Sequence, residues 1–144
     1  MITNKSKGFT IIELLVVVAI IAVLAAIVLI NVTSYINKGK DAAIKGNLAS
    51  ALIDSAVEFD TAGSYAGFCA AAKWTNISAA VTSAGGTDVT CQGTTTAFCA
   101  CSKLKTDTTK TYCTDSRGVK VETASSACTG AGGMCLATDL TCGT

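Results

Sequence analysis

The chain has 144 residues and a formal net charge of +1 at pH 7, so it carries no charge excess that would attract nucleic acid or anionic lipid. It contains no histidine, which excludes the commonest general base, the commonest metal ligand and any imidazole-activated nucleophile. We therefore expect no enzymatic activity, no catalytic or metal site and no cofactor, and there is no direct evidence for a nucleic acid partner.

The N-terminal segment combines a short basic head with a long apolar run. Lys5 and Lys7 stand in the head, and residues 14–30 contain no charged or polar side chain. With residues 9–12 in front, this run reaches the roughly 20 residues that a helix needs to span a bilayer. We therefore predict a membrane-spanning helix over about residues 9–32. A cleavable secretory signal also has a basic head, but its apolar core is usually only about 7–15 residues long.

One carboxylate, that of Glu13, interrupts the apolar run, where an unpaired charge is costly. It stands three residues after Thr10, which is the spacing of a capping box that satisfies backbone donors at a helix start. A second interpretation is that Glu13 pairs with a positively charged amine on Phe9 of a neighbouring copy. Removal of the residues before Phe9 would create that amine. The two roles are compatible at different stages.

The residues around Glu13, KGFTIIELL at positions 7–15, resemble the processing site of type IV pilins and of the pseudopilins of type II secretion. The resemblance covers about residues 5–60. It implies that a prepilin peptidase cuts between Gly8 and Phe9, that the new amine of Phe9 is N-methylated, and that Glu13 guides assembly.

The same resemblance implies where the protein acts and with which partners. The expected partners are the inner membrane, a prepilin peptidase and methyltransferase, and other pilin subunits in a helical homo- or heteropolymer. Before assembly the chain would cross the inner membrane once with its N-terminus in the cytoplasm, and afterwards it would lie in a cell-surface filament. Many pilins have a glycine near the middle of the span and a proline near its end, where this chain has Ala22 and Ile30.

Beyond Val32 the pattern changes from uniformly apolar to periodic, which predicts an amphipathic helix. Its apolar positions lie close to one stripe, expected to pack on a sheet: Ile36, Ile44, Leu48, Leu52, Ala56 and Phe59. Because the chain has no proline, nothing interrupts a single helix from about Phe9 to about Asp60. Gly63 and Gly67 then mark the exit from this helix.

A short helix is predicted next. Residues 76–82 are expected to form it, with Thr75 or Asn76 as the N-cap and Gly85 beyond its end. The whole region from residue 61 onward is rich in Thr, Ser, Ala and Gly, and large apolar side chains are thinly spread. So small a core favours covalent cross-links.

Three predicted strands follow. Residues 98–104 alternate in the manner of a half-buried strand. Its two faces carry Phe98, Ala100 and Leu104, and Cys99, Cys101 and Lys103. A turn at 107–110 leads to a second strand at 112–113. A turn at 115–118 leads to a third strand at 119–122, which predicts a small antiparallel meander.

All eight cysteines lie in this second part of the chain and predict a disulfide framework in an oxidising compartment. The candidates are Cys69, Cys91, Cys99, Cys101, Cys113, Cys128, Cys135 and Cys142. Cys99 and Cys101 point the same way along a strand, so each is expected to bridge to a neighbouring element. The last three are expected to fix a glycine-rich tail, and connectivity stays open among about a hundred pairings. A thiolate metal or iron–sulfur site is the alternative, although paired C-x-x-C motifs and histidine are both absent.

The carboxylates of this region occur singly and form no recognisable acid–base pair or calcium loop. They are Asp88, Asp107, Asp115, Glu122 and Asp139. We predict that most of them are turn residues or solvated charges.

Together these patterns predict an α+β protein with three parts. A leader at 1–8 precedes a long helix at 9–60, which spans the membrane over about 9–32 and packs its second half on a small antiparallel sheet. A disulfide-rich, pilin-like globular domain follows at 61–144. The predicted function is that of a prepilin, a structural subunit of a type IV pilus or related filament. The alternatives are an uncleaved, signal-anchored extracytoplasmic binding domain, a pseudopilin, and an enzyme with a redox-active cysteine pair.

Overall fold

The computed structural model describes residues 8–124, 127–128, 135 and 140–143. The predicted leader residues 1–7 and Asp139 therefore lie outside the described residues. The elements are helix α1 (Ile11–Ala62), a 3₁₀ turn (Phe68–Ala70), helix α2 (Ala72–Ala84), and strands β1 (Thr87–Gly93), β2 (Phe98–Lys103), β3 (Thr111–Asp115) and β4 (Lys120–Thr123). The predicted α+β class, with a long N-terminal helix and a small antiparallel sheet, is confirmed. The chain divides into two compact units, Met1–Ile36 and Asn37–Thr144.

The first unit contains the apolar part of α1. Its large apolar side chains are exposed, from 44% at Val32 to 81% at Ile11. Within the described part of the chain, α1 is the one helix that is long and apolar enough to cross a membrane by length and composition. A helix suits such a segment because it satisfies every interior backbone donor and acceptor within itself.

The second unit has a hydrophobic core between the later part of α1, α2 and the sheet. Its members are Ile44, Leu48, Ala51, Phe68, Trp74, Ile77, Val81, Phe98, Ala100 and Leu104. Two aromatic rings, those of Phe68 and Phe98, meet edge to face with centroids 5.1 Å apart. This geometry is favoured by the charge distribution of aromatic rings.

The stripe that α1 buries differs in part from the predicted one. Ile44 and Leu48 are buried as expected, but Ile36, Ala56 and Phe59 are exposed. Asp41, Ala51 and Ser55 are buried instead. The prediction ranked positions by hydrophobicity, whereas burial follows the helix face that meets the sheet, and small or hydrogen-bonded polar side chains fit there equally well.

Both helices end at glycines with positive φ, as predicted for Gly63 (φ 66°) and Gly85 (φ 100°). A left-handed residue at this position is easiest for glycine because it has no Cβ. The predicted start of α2 is wrong: the helix begins at Ala72 rather than residue 76, and neither Thr75 nor Asn76 is its N-cap. The earlier start places Trp74 on the same buried face as Ile77 and Val81.

The sheet has four antiparallel strands in the order β1-β2-β3-β4. The predicted meander is confirmed for β2, β3 and β4, but β1 was not predicted. Its sequence, TDVTCQG, has little apolar alternation, and pairing with β2 rather than its own pattern defines it as a strand.

The prediction that β2 is half-buried is wrong, because both of its faces are covered. Phe98 and Ala100 lie in the hydrophobic core, and Cys99 and Cys101 lie in a second cluster of buried residues made mainly of cysteines. Strand residues alternate between faces, so β2 separates these two clusters. Sequence alternation indicated the two faces correctly but did not reveal what covers the cysteine face.

The core should be sensitive to the loss of Phe68, which is fully buried. Phe68→Ala is expected to lower the free energy of unfolding by about 3–5 kcal/mol, because it leaves a cavity beside Phe98 and Trp74. Denaturant unfolding of the full chain in detergent, followed by the fluorescence of Trp74, the single tryptophan, measures this loss. Val57→Ala, at a side chain that is 51% exposed, is the control and should change stability by less than about 0.5 kcal/mol. Equal losses in the two variants would contradict the assigned core.

Candidate functional site

The start of α1 forms the predicted capping box. The backbone N–H and the hydroxyl of Thr10 both donate to Oε2 of Glu13 at 2.8 Å, and the N–H of Glu13 donates to Oγ1 of Thr10 at 3.3 Å. The carboxylate is therefore hydrogen-bonded locally at the helix N-terminus, where the helix dipole also favours negative charge.

The residues predicted to flank the processing point lie just before this helix. Gly8 and Phe9 are both exposed and precede the first residue of α1, Ile11. A side chain at Gly8 would meet no atom within 4 Å. The bond between Gly8 and Phe9 thus lies outside regular secondary structure, between two exposed residues.

The expected disulfide framework is confirmed, and the structure settles its connectivity. The four bridges are Cys69–Cys91, Cys99–Cys135, Cys101–Cys128 and Cys113–Cys142. Cys99 and Cys101 do not pair with each other, as predicted, and each is bonded to a cysteine beyond β4 rather than to one in a neighbouring strand. The first bridge joins the 3₁₀ turn to β1, and the other three join β2 and β3 to Cys128, Cys135 and Cys142.

Three sulfur atoms from two of the bridges lie close together. The Sγ atoms of Cys99, Cys113 and Cys135 are all within 4.8 Å of one another. Three neighbouring thiolates would suit a metal ion, but each of these sulfurs is bonded to another sulfur. The three sulfur atoms are therefore disulfide sulfurs and do not provide thiolate ligands for a metal ion.

Asp115 was predicted to be a turn residue or a solvated charge. It does occupy a turn, but its side chain is fully buried and not solvated. Its Oδ2 accepts a hydrogen bond from the backbone N–H of Cys142 at 2.9 Å. The same oxygen forms an ion pair with the guanidinium group of Arg117 at 2.8 Å. Burial alone would raise the pKa of this carboxyl. The hydrogen bonds from Arg117 and Cys142 outweigh burial and hold the pKa of Asp115 below its usual range.

Sequence reasoning missed a second buried carboxylate, Asp41 on α1. Its Oδ1 accepts hydrogen bonds from the backbone N–H groups of Lys105 at 2.6 Å and Thr106 at 3.2 Å, and its Oδ2 accepts one from the Thr106 hydroxyl. These bonds join α1 to the loop after β2. No local signal distinguishes Asp41 from a solvated helix residue, because its partners lie more than 60 residues away in the chain.

The other described carboxylates of this region sit in turns or ion pairs. Asp107 accepts a hydrogen bond from the N–H of Thr109 at 3.0 Å, as expected of a turn residue. Glu122 pairs with Lys45 of α1 at 2.5 Å and with Lys110 at 3.4 Å. The hydrogen bond from Lys45 is the main reason that the pKa of Glu122 is lowered. These groups connect elements and do not converge on a reactive centre.

Because the buried carboxyl group of Asp115 has a lowered pKa, we expect the free energy of unfolding to decrease in acid. A group whose pKa is lower in the folded state stabilises the fold above its unfolded pKa, near 3.9 for aspartate, and this contribution is lost as the pH falls through the folded pKa. Asp115→Asn is therefore expected to lower stability at pH 7 by about 1–3 kcal/mol and to flatten its decline below about pH 5. Denaturant unfolding between pH 7 and pH 3 provides the measurement. Asp60→Asn, at an exposed residue of α1, controls for the loss of one charge, and matching profiles for the two variants would refute the role of Asp115.

Comparison with known proteins bears on the N-terminal segment. A family model described as the prokaryotic N-terminal methylation motif matches residues 3–29. Over 47 residues the chain is 49% identical to the type IV major alpha-pilin of Moraxella bovis and 49% identical to fimbrial protein Q of the same organism. The match covers 33% of this chain and only 30% of each of these relatives. No solved structure matches the chain. The resemblance predicted from the residues is thus confirmed for the N-terminal third of the chain, which carries the prokaryotic N-terminal methylation motif and is similar to type IV pilins.

Proposed function

We propose that this protein is a prepilin, a structural subunit of a type IV pilus or related filament that is processed after Gly8 and assembled through the apolar part of α1. The observation that carries the proposal is the exposed apolar surface of α1 directly behind a pilin-type N-terminus. In this view the protein acts by self-association rather than by catalysis.

The exposed apolar side chains explain why the chain would need two successive environments. Each large side chain that leaves water gains about 1.5–3 kcal/mol, and the first unit holds many of them. The inner membrane supplies the first environment. Outside lipid, only similar helices offer comparable burial, so extraction from the membrane would be coupled to packing against other subunits.

Processing would add a charge at the tip of this helix. Cleavage after Gly8 turns the backbone nitrogen of Phe9 into an amine, which the methyltransferase would then methylate. The carboxylate of Glu13 already accepts two hydrogen bonds within its own chain, both donated by Thr10. During assembly, the amine of a neighbouring Phe9 would offer the carboxylate a full opposite charge in a site away from water. A buried carboxylate gains most from such a pair when its remaining hydrogen bonds are kept.

The disulfides support the proposed orientation. Four bridges require an oxidising compartment, so the second unit would lie outside the cytoplasm and the basic head inside it. After assembly the second unit would face the outside of a cell-surface filament. The two named relatives are a pilin and a fimbrial protein, which favours a pilus over a secretion pseudopilus.

The proposal predicts a defined mature N-terminus. The protein purified from membranes is expected to begin at Phe9 carrying one additional methyl group, because the peptidase and methyltransferase act in sequence. Mass spectrometry of the N-terminal peptide tests this directly. Gly8→Val, expected to block the cut, should give a chain that retains residues 1–8. If the protein without any substitution also retains residues 1–8, the uncleaved, signal-anchored alternative would be supported.

A second prediction separates the charge of Glu13 from its capping role. Glu13→Gln keeps a side chain that can complete the capping box but removes the charge. We expect this variant to insert into membranes and be processed normally while forming few or no filaments, as counted by electron microscopy. Thr10→Ala is the matched control, because it weakens the box but keeps the carboxylate, and it should assemble well. The charge-pair idea fails if Glu13→Gln assembles normally, and it also fails if Thr10→Ala is equally defective.

A further inference from the structure

Two disulfides are in direct contact on the face of the sheet that points away from the hydrophobic core. Cys99 is bonded to Cys135, and Cys113 is bonded to Cys142. The Sγ atoms of Cys99 and Cys113, which belong to different bridges, are only 3.4 Å apart. The sulfur that would attack and the sulfur that would be attacked in a disulfide exchange are therefore already neighbours.

We propose that these two bridges form an exchange pair, so that one two-electron reduction frees both Cys135 and Cys142 from the sheet. In the first step a dithiol, either a small molecule or a thiol oxidoreductase, reduces Cys99–Cys135 to two thiols and is itself oxidised to a disulfide. In the second step the thiolate of Cys99 attacks Sγ of Cys113. The Cys99–Cys113 bond forms, the Cys113–Cys142 bond breaks, and Cys142 leaves as a thiolate that takes up a proton. The second step involves no net oxidation or reduction.

The strand register supports this exchange. Cys99 lies opposite Asp115, and Cys113 lies opposite Cys101, so Cys99 and Cys113 are diagonal neighbours on the same face of β2 and β3. Thiol–disulfide exchange proceeds by attack of a thiolate on a disulfide sulfur, and for the internal step the two sulfur atoms are already in contact. Here β2 and β3 are already hydrogen-bonded to each other, so forming the new bridge closes no additional long loop.

The consequence is a redox-dependent release of two C-terminal cysteines. Cys135 and Cys142 pair with each other as an isolated antiparallel bridge and are both buried in the cysteine cluster. If the bridges acted independently, freeing these two residues would take four electrons. With the exchange pair it takes two, and Cys101–Cys128 then remains as a disulfide between the sheet and this part of the chain.

A cysteine variant tests the second step without any added reductant. Cys135→Ser leaves Cys99 without its partner, 3.4 Å from Cys113 in the remaining bridge. We expect the free thiol to move from Cys99 to Cys142, which alkylation and peptide mapping by mass spectrometry will locate. Cys91→Ser is the matched control and should keep its free thiol on Cys69, which lies outside the cluster of three sulfurs. A thiol that stays on Cys99, or a Cys101–Cys113 bridge, would overturn the proposal.

The unmodified chain gives a second test that does not depend on the folding of a variant. The full chain in detergent is treated with one equivalent of dithiothreitol per protein, alkylated and mapped. Cys69–Cys91 is less buried than the other bridges and will take up part of the reductant, so only molecules with an alkylated Cys135 are scored. These molecules are expected to have a Cys99–Cys113 bridge and an alkylated Cys142. Molecules in which Cys99 and Cys135 are alkylated while Cys113–Cys142 is intact would show that the bridges act independently. That result would leave the proposed pilin function untouched, since the two rest on different parts of the chain.

Discussion

The central constraint on this protein is that the large apolar side chains described in α1 between Ile11 and Val32 are exposed rather than packed within the described chain. Most soluble proteins would bury such side chains. Such a surface is stable in lipid or against other apolar helices. Under the proposed function, the basic head, the carboxylate of Glu13 and an extracytoplasmic location of the second unit would each help to determine how this segment enters, orients in or leaves a membrane.

The second unit compensates for a small hydrophobic core with covalent and polar links. Three disulfides join the sheet to Cys128, Cys135 and Cys142. Asp115 accepts a hydrogen bond from the N–H of Cys142, and Asp41 connects α1 to the loop after β2. These links join residues far apart in the chain. In the chain-entropy model each bridge lowers the entropy of the unfolded state and so raises the free energy of unfolding by about 3–4 kcal/mol. A domain of this size therefore needs fewer large apolar side chains.

Close packing of disulfides has a chemical consequence beyond stability. Cross-links that lie apart respond to a reductant one at a time, whereas bridges whose sulfurs touch can exchange partners. The cysteine face of β2 places two bridges in this second situation. The same arrangement that fixes the last cysteines to the sheet thus supplies a route for their release, in a part of the molecule separate from the apolar helix.

Much of the structure of this protein could be predicted from local sequence patterns. The apolar run, the capping box, the glycines that end the helices and the motif around Gly8 each depend on residues within a few positions of one another, and local physics is sufficient to interpret them. The tertiary structure alone decided which cysteines pair, that Asp41 and Asp115 are buried, that β1 is a strand, and that β2 is covered on both faces. These features depend on residues brought together from distant parts of the chain, and the energy of each contact is determined by its surroundings rather than by its neighbours in sequence.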